Sequence, residues 1–276
     1  MSAVSPAPRI PRLEHSGRVT FPGVLRSEWT KLRSVRSSAW SLGAGFLLTI
    51  AFPVIFAFVT SSHWGTMAPQ ERASRSPLDI ALAGVNVAQL AIAVLAVLVI
   101  SAEYSTGSIR STFTAVPKRL PVLWAKLLDY AAVSLVLMVP AVLVSFFATQ
   151  AILARHDILQ VSFTAPGIAR CVLCGALYVT MVGIFALAIG AIVRNTAGGI
   201  ATFAGIFFVL PPLMFTLPQS WNDAISQYLP SEAGRQIFSL DHGAHTLTPV
   251  AGGLVFAGYC AVAIVLAAVL LVRRDV

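Results

Sequence analysis

The chain has 276 residues, 57% of them hydrophobic and 11% charged, with a mean hydropathy of +0.82. Globular domains carry about 25% charged residues, so this apolar surplus exceeds what one compact core can hide and excludes a soluble domain, a disordered chain and a collagen-like one. Three cysteines are too few, and odd in number, for a disulfide framework. The net charge of +8 would suggest nucleic acid in a soluble protein, but in so apolar a chain it reads as the basic flank of membrane spans, with no nucleic-acid partner.

Residues 1–20, rich in Pro, Ser and Arg, are expected to form a disordered cytoplasmic tail ahead of one transmembrane unit over 21–276. Residues 24–36 read VLRSEWTKLRSVR. Leu25, Trp29 and Leu32 recur at helical spacing with Val35 near the same face, while Arg26, Glu28, Lys31, Arg33 and Arg36 lie elsewhere. A basic amphipathic helix carrying a Trp is built to lie in the membrane interface, apolar face to lipid.

Apolar runs of about 20 residues cross a hydrocarbon core of about 30 Å. Six qualify, near 39–60, 78–102, 127–153, 171–193, 199–217 and 249–272. Most are apolar all round, as lipid-embedded helices are, and too long and continuous for barrel strands. The fold class expected is therefore an all-α integral membrane protein. The first run is full length, starts almost forty residues in and lacks a small-residue cleavage site, so it is expected to stay as a span. With the N-terminus inside, fourteen of the nineteen Lys and Arg fall in inner segments, against Arg72, Arg75, Arg155, Arg170 and Arg235 outside. That bias predicts a multi-pass protein of the cell membrane with both termini cytoplasmic.

The loop after the second span, 103–126, reads EYSTGSIRSTFTAVPKRLPVLWAK. Gly107 permits a turn, and Ser105 or Thr106 is placed to cap a short helix. Ile109, Phe113 and Val116 fall at i, i+4 and i+7 before Pro117 ends the helix, with Lys118, Arg119 and Lys126 following. Such a stripe suits either a groove on a partner or the chain's own bundle, and the residues alone leave both open.

The pattern Glu103-Tyr104-x-x-Gly107-Ser108-Ile109-Arg110-x-Thr112-Phe113-x-x-x-Pro117-x-Arg119 resembles the first cytoplasmic loop of ABC-2-type transporter permeases. Glu28-Trp29-Thr30-Lys31-Leu32-Arg33-Ser34 is similar to the start of the same family, especially its actinobacterial members. Six spans with both ends inside also match, so the resemblance runs from about Val24 onward. It implies the membrane half of an ATP-binding-cassette transporter that exports a hydrophobic or amphipathic cargo: a drug, antibiotic, lipid or peptide. It further implies a homodimer, or a heterodimer with a related permease, above two ATPase subunits that hold the ATP and Mg. The interfacial helix would be 24–36 (Leu25, Trp29, Leu32). The coupling helix against the ATPase subunit would be about 107–115 (Gly107, Ile109, Arg110, Phe113), with Glu103 at the inner end of the second span.

In the outer loop 218–248, Ser220-x-x-Asp223 has the form of a capping box, followed by apolar Ile225, Tyr228 and Leu229. Pro230-Ser231 restarts a short helical pattern with Ala233, Ile237 and Phe238 apolar, and Pro211-Pro212 is expected to break the fifth span. These segments resemble the external helices that the family places before its last span.

Ionisable groups are scarce inside the spans; Asp79 and Asp129 are expected at span ends within reach of water. Asn86 and Gln89, three apart in the second span, are substrate-pathway candidates, although such pairs more often bond helix to helix. Gly84 with Ala88, and Gly253 with Ala257, are small pairs that allow close helix approach, and Pro53 and Pro140 should kink the first and third spans. No G-x-x-x-x-G-K-[ST], H-E-x-x-H or G-x-S-x-G occurs, so the expectation is a transport subunit with no catalytic residues, bound metal or ATPase site of its own. His242-x-x-His245 beside Asp241 is a weak metal candidate against a solvated loop, and Cys171-x-x-Cys174 at the head of an apolar span reads as buried small hydrophobes. The alternatives carried are a non-transporting scaffold or sensor, and an intramembrane enzyme.

Overall fold

The computed structural model describes residues 20–34, 36–116, 118–240, 243 and 246–274. The tail before Thr20, Val35, Pro117 and the Asp241, His242, His245 cluster therefore lie outside the described residues. Within them every regular element is helical.

Six helices are long and apolar enough to span a membrane. The first span comprises α2 (Arg36–His63) and a short 3-10 turn, so that its apolar stretch covers Ala39–Thr66. The second, third and fourth are α4 (Pro77–Ser105), α6 (Leu120–Arg155) and α7 (Ile168–Val193). The fifth, Thr196–Met214, joins α8 (Thr196–Ala204) to α9 (Leu210–Met214), and the sixth is α12 (Pro249–Arg273). Ahead of and between them lie α1 (Phe21–Ser34), α3 (Pro69–Ala73), α5 (Ser108–Ala115), α10 (Gln219–Ile225) and α11 (Pro230–Arg235).

The bundle is built around α7 and α4, of whose apolar windows 72% and 56% are buried, against 17% for the fifth span and 22% for the first. Close approach is made possible by glycine where backbones meet. Gly84 of α4 lies against the carbonyl of Thr49 and the ring of Pro53 on α2. Pro53 has no N–H to give that carbonyl, so the gap in the α2 ladder faces the one neighbouring residue without a side chain. The expected Gly253–Ala257 pair is displaced by one residue. Gly252 is the close-contact position, where a Cβ would stand 2.5 Å from the Ala233 carbonyl, and Ala257 is exposed. Buried hydroxyls add cross-links: Tyr130 Oη donates to Ile92 O at 2.8 Å, and Ser145 Oγ to Ala81 O at 2.8 Å.

Three boundaries depart from the apolar runs. The third helix starts at Leu120, because Val122, Leu123 and Ala125 pack inward despite the charges around them. In the fifth span the prolines do not end the helix outright. Phe207 and Phe208 lose their donors at Pro211 and Pro212, and the winding widens to a π-turn over Gly205–Val209 before the helix stops at Met214. The capping box at Ser220 does not form: Pro218 already stands in the cap position, so Ser220 falls within the first turn and Asp223 accepts from Gln219 Nε2 at 2.8 Å.

The short helices α10 and α11 follow the fifth span, and α11 is built into the bundle. Ala233, Ile237 and Phe238 are buried, Arg170 donates to the carbonyls of Ile237 (2.9 Å) and Ser239 (3.0 Å), and Gly234 abuts the Tyr178 ring. Tyr178 sits about ten residues, or roughly 15 Å, into α7, so α11 penetrates below the rim of the bundle.

Candidate functional site at the basic end of the bundle

Where α1, α4, α5 and α6 meet, four charged side chains close a ring. Glu28 takes Lys31 Nζ on Oε1 at 2.7 Å and Lys126 Nζ on Oε2 at 2.5 Å. Glu103 Oε1 receives the same two ammoniums, at 3.0 Å from Lys31 and 2.8 Å from Lys126. Lys31 also donates to Thr112 Oγ1 of α5 at 3.2 Å. One charge network thus ties the first helix, the end of the second span, the loop helix and the start of the third span.

The elements that deliver these groups follow from local sequence. On α1, Val24, Glu28 and Lys31 share one face at i, i+4 and i+7, which puts an anchor, an acid and a base against the bundle. Val24 packs with Val122 and Ala125, the residue next to Lys126. Trp29 is 45% exposed and Leu25 and Leu32 are half-buried, so the Leu25–Trp29–Leu32 stripe flanks the docked face. Glu28 was expected away from the apolar face; it is instead among the most buried residues of α1, because its charge is balanced in place. Ion pairs withdrawn from water are costly unless each charge keeps partners, and the ring supplies them. Burial by itself would lower the pKa of the half-buried Lys31, but the hydrogen bonds and charges of Glu28 and Glu103 outweigh it and hold the ammonium above its ordinary value.

The loop helix starts on Gly107, whose φ of 71° lies in the left-handed region that glycine enters without a Cβ penalty. Ile109 is 3% exposed, and Phe113 and Val116 are half-buried against the same chain. The apolar stripe therefore faces inward. The outer surface of α5 consists of Ser108, Arg110, Ser111, Thr114 and Ala115, all exposed. Arg119, just beyond α5, lies 5.3 Å over the Phe113 ring and donates to the carbonyls of Leu271 and Arg274 at 3.0 Å each. Arg194 covers the Tyr104 ring at 5.1 Å and donates to Leu270 O at 3.1 Å, so the last helix is capped at this end too.

Beside the ring opens a cavity of about 430 Å³, lined by Glu28, Lys31, Glu103, Lys126 and Asp129 with apolar walls from Leu98, Val99 and Tyr130. Asp129, expected at a span end, sits nine residues into α6 and is 7% exposed, because the third helix starts earlier than its apolar run. Two buried carboxylate oxygens, Asp129 Oδ2 and Glu103 Oε2, have no hydrogen-bond partner among the described residues.

The polar pair of the second span lies elsewhere. Gln89 is buried and accepts from Tyr178 Oη at 2.6 Å, joining α4 to α7; Asn86 is half-buried. Tyr178→Phe should lower stability by about 0.6 kcal/mol, the average of such intramembrane bonds, measured by reversible unfolding in detergent. A change above about 2 kcal/mol would mean that the hydroxyl does more than join two helices. Cys171 and Cys174 are free thiols, Cys171 fully buried. Among the described residues no group of three or more His, Cys, Asp or Glu is placed to hold a metal.

Sequence reasoning placed Glu103 here but passed over Glu28, Lys31, Lys126 and Asp129 as site residues. The available signal was acid and base at i, i+3 on α1, with one further acid and base at the two span junctions. A scan against protein-family models finds no match, and a search of curated proteins finds none either.

Proposed function

We propose that this chain is the membrane-spanning subunit of an ATP-binding-cassette transporter of the ABC-2 permease type. It pairs with a second membrane half and takes its energy from a separate ATPase subunit that holds ATP and Mg. Its cargo is hydrophobic or amphipathic and moves outward across the cell membrane, with both chain termini cytoplasmic. The observation that carries this reading is the charge ring, which makes α5 and the end of the second span one mechanical unit. A push on the exposed loop helix then reaches a span through Lys31 and Glu103 rather than dissipating in a flexible loop. The polar outer face of α5, with Arg110, Ser111 and Thr114, is the part free to meet an ATPase, and Ile109 and Phe113 hold the helix in place from behind.

The test is co-purification of an ATP-binding-cassette ATPase subunit with the tagged chain from its native membranes. Arg110→Glu with Thr114→Glu should cut ATPase capture at least tenfold, with an unchanged elution profile for the membrane subunit. Glu103→Gln should leave capture intact and abolish nucleotide-dependent transport in vesicles. Undiminished capture by the double variant, or normal transport by Glu103→Gln, would refute the assignment. Failure to capture any ATPase would favour the scaffold reading.

A further inference from the structure

The cavity beside the ring has a chemistry that the ring itself does not use. Its charged lining comprises three carboxylates (Glu28, Glu103, Asp129) and two ammoniums (Lys31, Lys126), one negative charge in excess when all are ionised. Lys31 gives its three donors to Glu28, Glu103 Oε1 and Thr112, and Lys126 gives two of its three to Glu28 and Glu103 Oε1. Asp129 and Glu103 line this cavity, and each carries a buried carboxylate oxygen, Oδ2 and Oε2, with no hydrogen-bond partner among the described residues. An unpartnered buried carboxylate oxygen costs free energy that a positive hydrogen-bond donor would recover. The Tyr130 hydroxyl cannot supply it, because it is committed to Ile92 O. A divalent metal does not suit the site, since two ammoniums lie within the same cluster and the free oxygens are too few to coordinate it. The apolar part of the wall, Leu32, Leu98, Val99 and Ala102, belongs to α1 and α4, and the lining is completed by Thr106 and Ser108, whose hydroxyls bond each other at 3.0 Å.

We propose that this cavity binds an amphipathic ammonium ion, its charged head donating to Asp129 and Glu103 and its hydrocarbon lying against Leu98 and Val99. A long-chain amine and the primary ammonium of an aminolipid share that chemistry. The site stands whether or not an ATPase docks on α5, and its test needs no partner subunit or nucleotide.

The experiment titrates the purified chain in a maltoside detergent with dodecylamine and, separately, with 1-dodecanol, read by native mass spectrometry. Dodecylamine should occupy one saturable site, and Asp129→Asn should weaken it at least tenfold while leaving dodecanol binding unchanged. Equal dodecylamine affinity in the two proteins, or dodecanol binding as tightly as dodecylamine to the unaltered chain, would overturn the proposal. Should Asp129→Asn fail to fold, Val99→Trp fills the cavity from the α4 side, and retention of full dodecylamine binding by that variant would overturn it equally. A second arm distinguishes the sources. After reconstitution with phosphatidylethanolamine and re-extraction, one retained lipid that dodecylamine displaces identifies the aminolipid headgroup as occupant, whereas none retained with dodecylamine still bound identifies a soluble amine; both results support the site.

Discussion

Replacing Lys126 by Met is expected to destabilise the protein by about 3–5 kcal/mol. Lys126 is buried and holds one oxygen of Glu28 and one of Glu103. Its loss strands two carboxylates in a site where only Lys31, itself partly exposed, remains to offset them. Removing one partner of a buried pair is far more damaging than replacing both by apolar groups. Accordingly Glu28→Leu combined with Lys126→Met should restore most of the loss, since Glu103 keeps Lys31. Reversible unfolding in detergent of the two single variants and the double variant gives the coupling directly. A Lys126→Met protein within about 0.5 kcal/mol of the original would show that the ring contributes nothing to the fold.

Gly84→Ala is expected to cost about 1–3 kcal/mol. A Cβ there would collide with the Thr49 carbonyl and stand 2.7 Å from the Pro53 ring, and neither can swing aside as a flexible side chain can. The helices α2 and α4 would have to separate along their contact. Gly258→Ala, on α12 with nothing within 4 Å of its added methyl, is the control. It should stabilise by about 0.5–1 kcal/mol, the ordinary gain when a helical glycine becomes alanine. The same unfolding assay reads both. Two changes of the same sign and size would mean that Gly84 sits in no close contact.

The spans were legible because a lipid-crossing helix needs one continuous signal, an apolar run of sufficient length, and each of the six runs supplied it. Local punctuation was read less well wherever tertiary packing decided the outcome. The charges near Lys126 hid the first turns of α6, which pack inward through Val122 and Leu123. The stripe Ile109–Phe113–Val116 was visible, but a stripe does not say what it packs against, and here it is the same chain. Ser220 and Asp223 had the right spacing for a cap, yet Pro218 starts the helix before Ser220 can. The ring was the least legible feature. Glu103 and Lys31 are 72 positions apart and Lys126 and Glu28 are 98 apart, and no local pattern pairs residues at that distance. Glu28 in particular broke the rule that charges lie away from the docked face, because its compensation comes from a helix a hundred residues on.

Arg119 gives the arrangement a further consequence. It grips the final turn of α12 at the carbonyls of Leu271 and Arg274, while the lysines beside α5 hold α1, the opening helix of the fold. The first and the last described helices are thus buckled together at a single junction, closing the bundle into a hoop. Tension on that junction would be transmitted to both of those helices at once, and clipping either one would slacken the other.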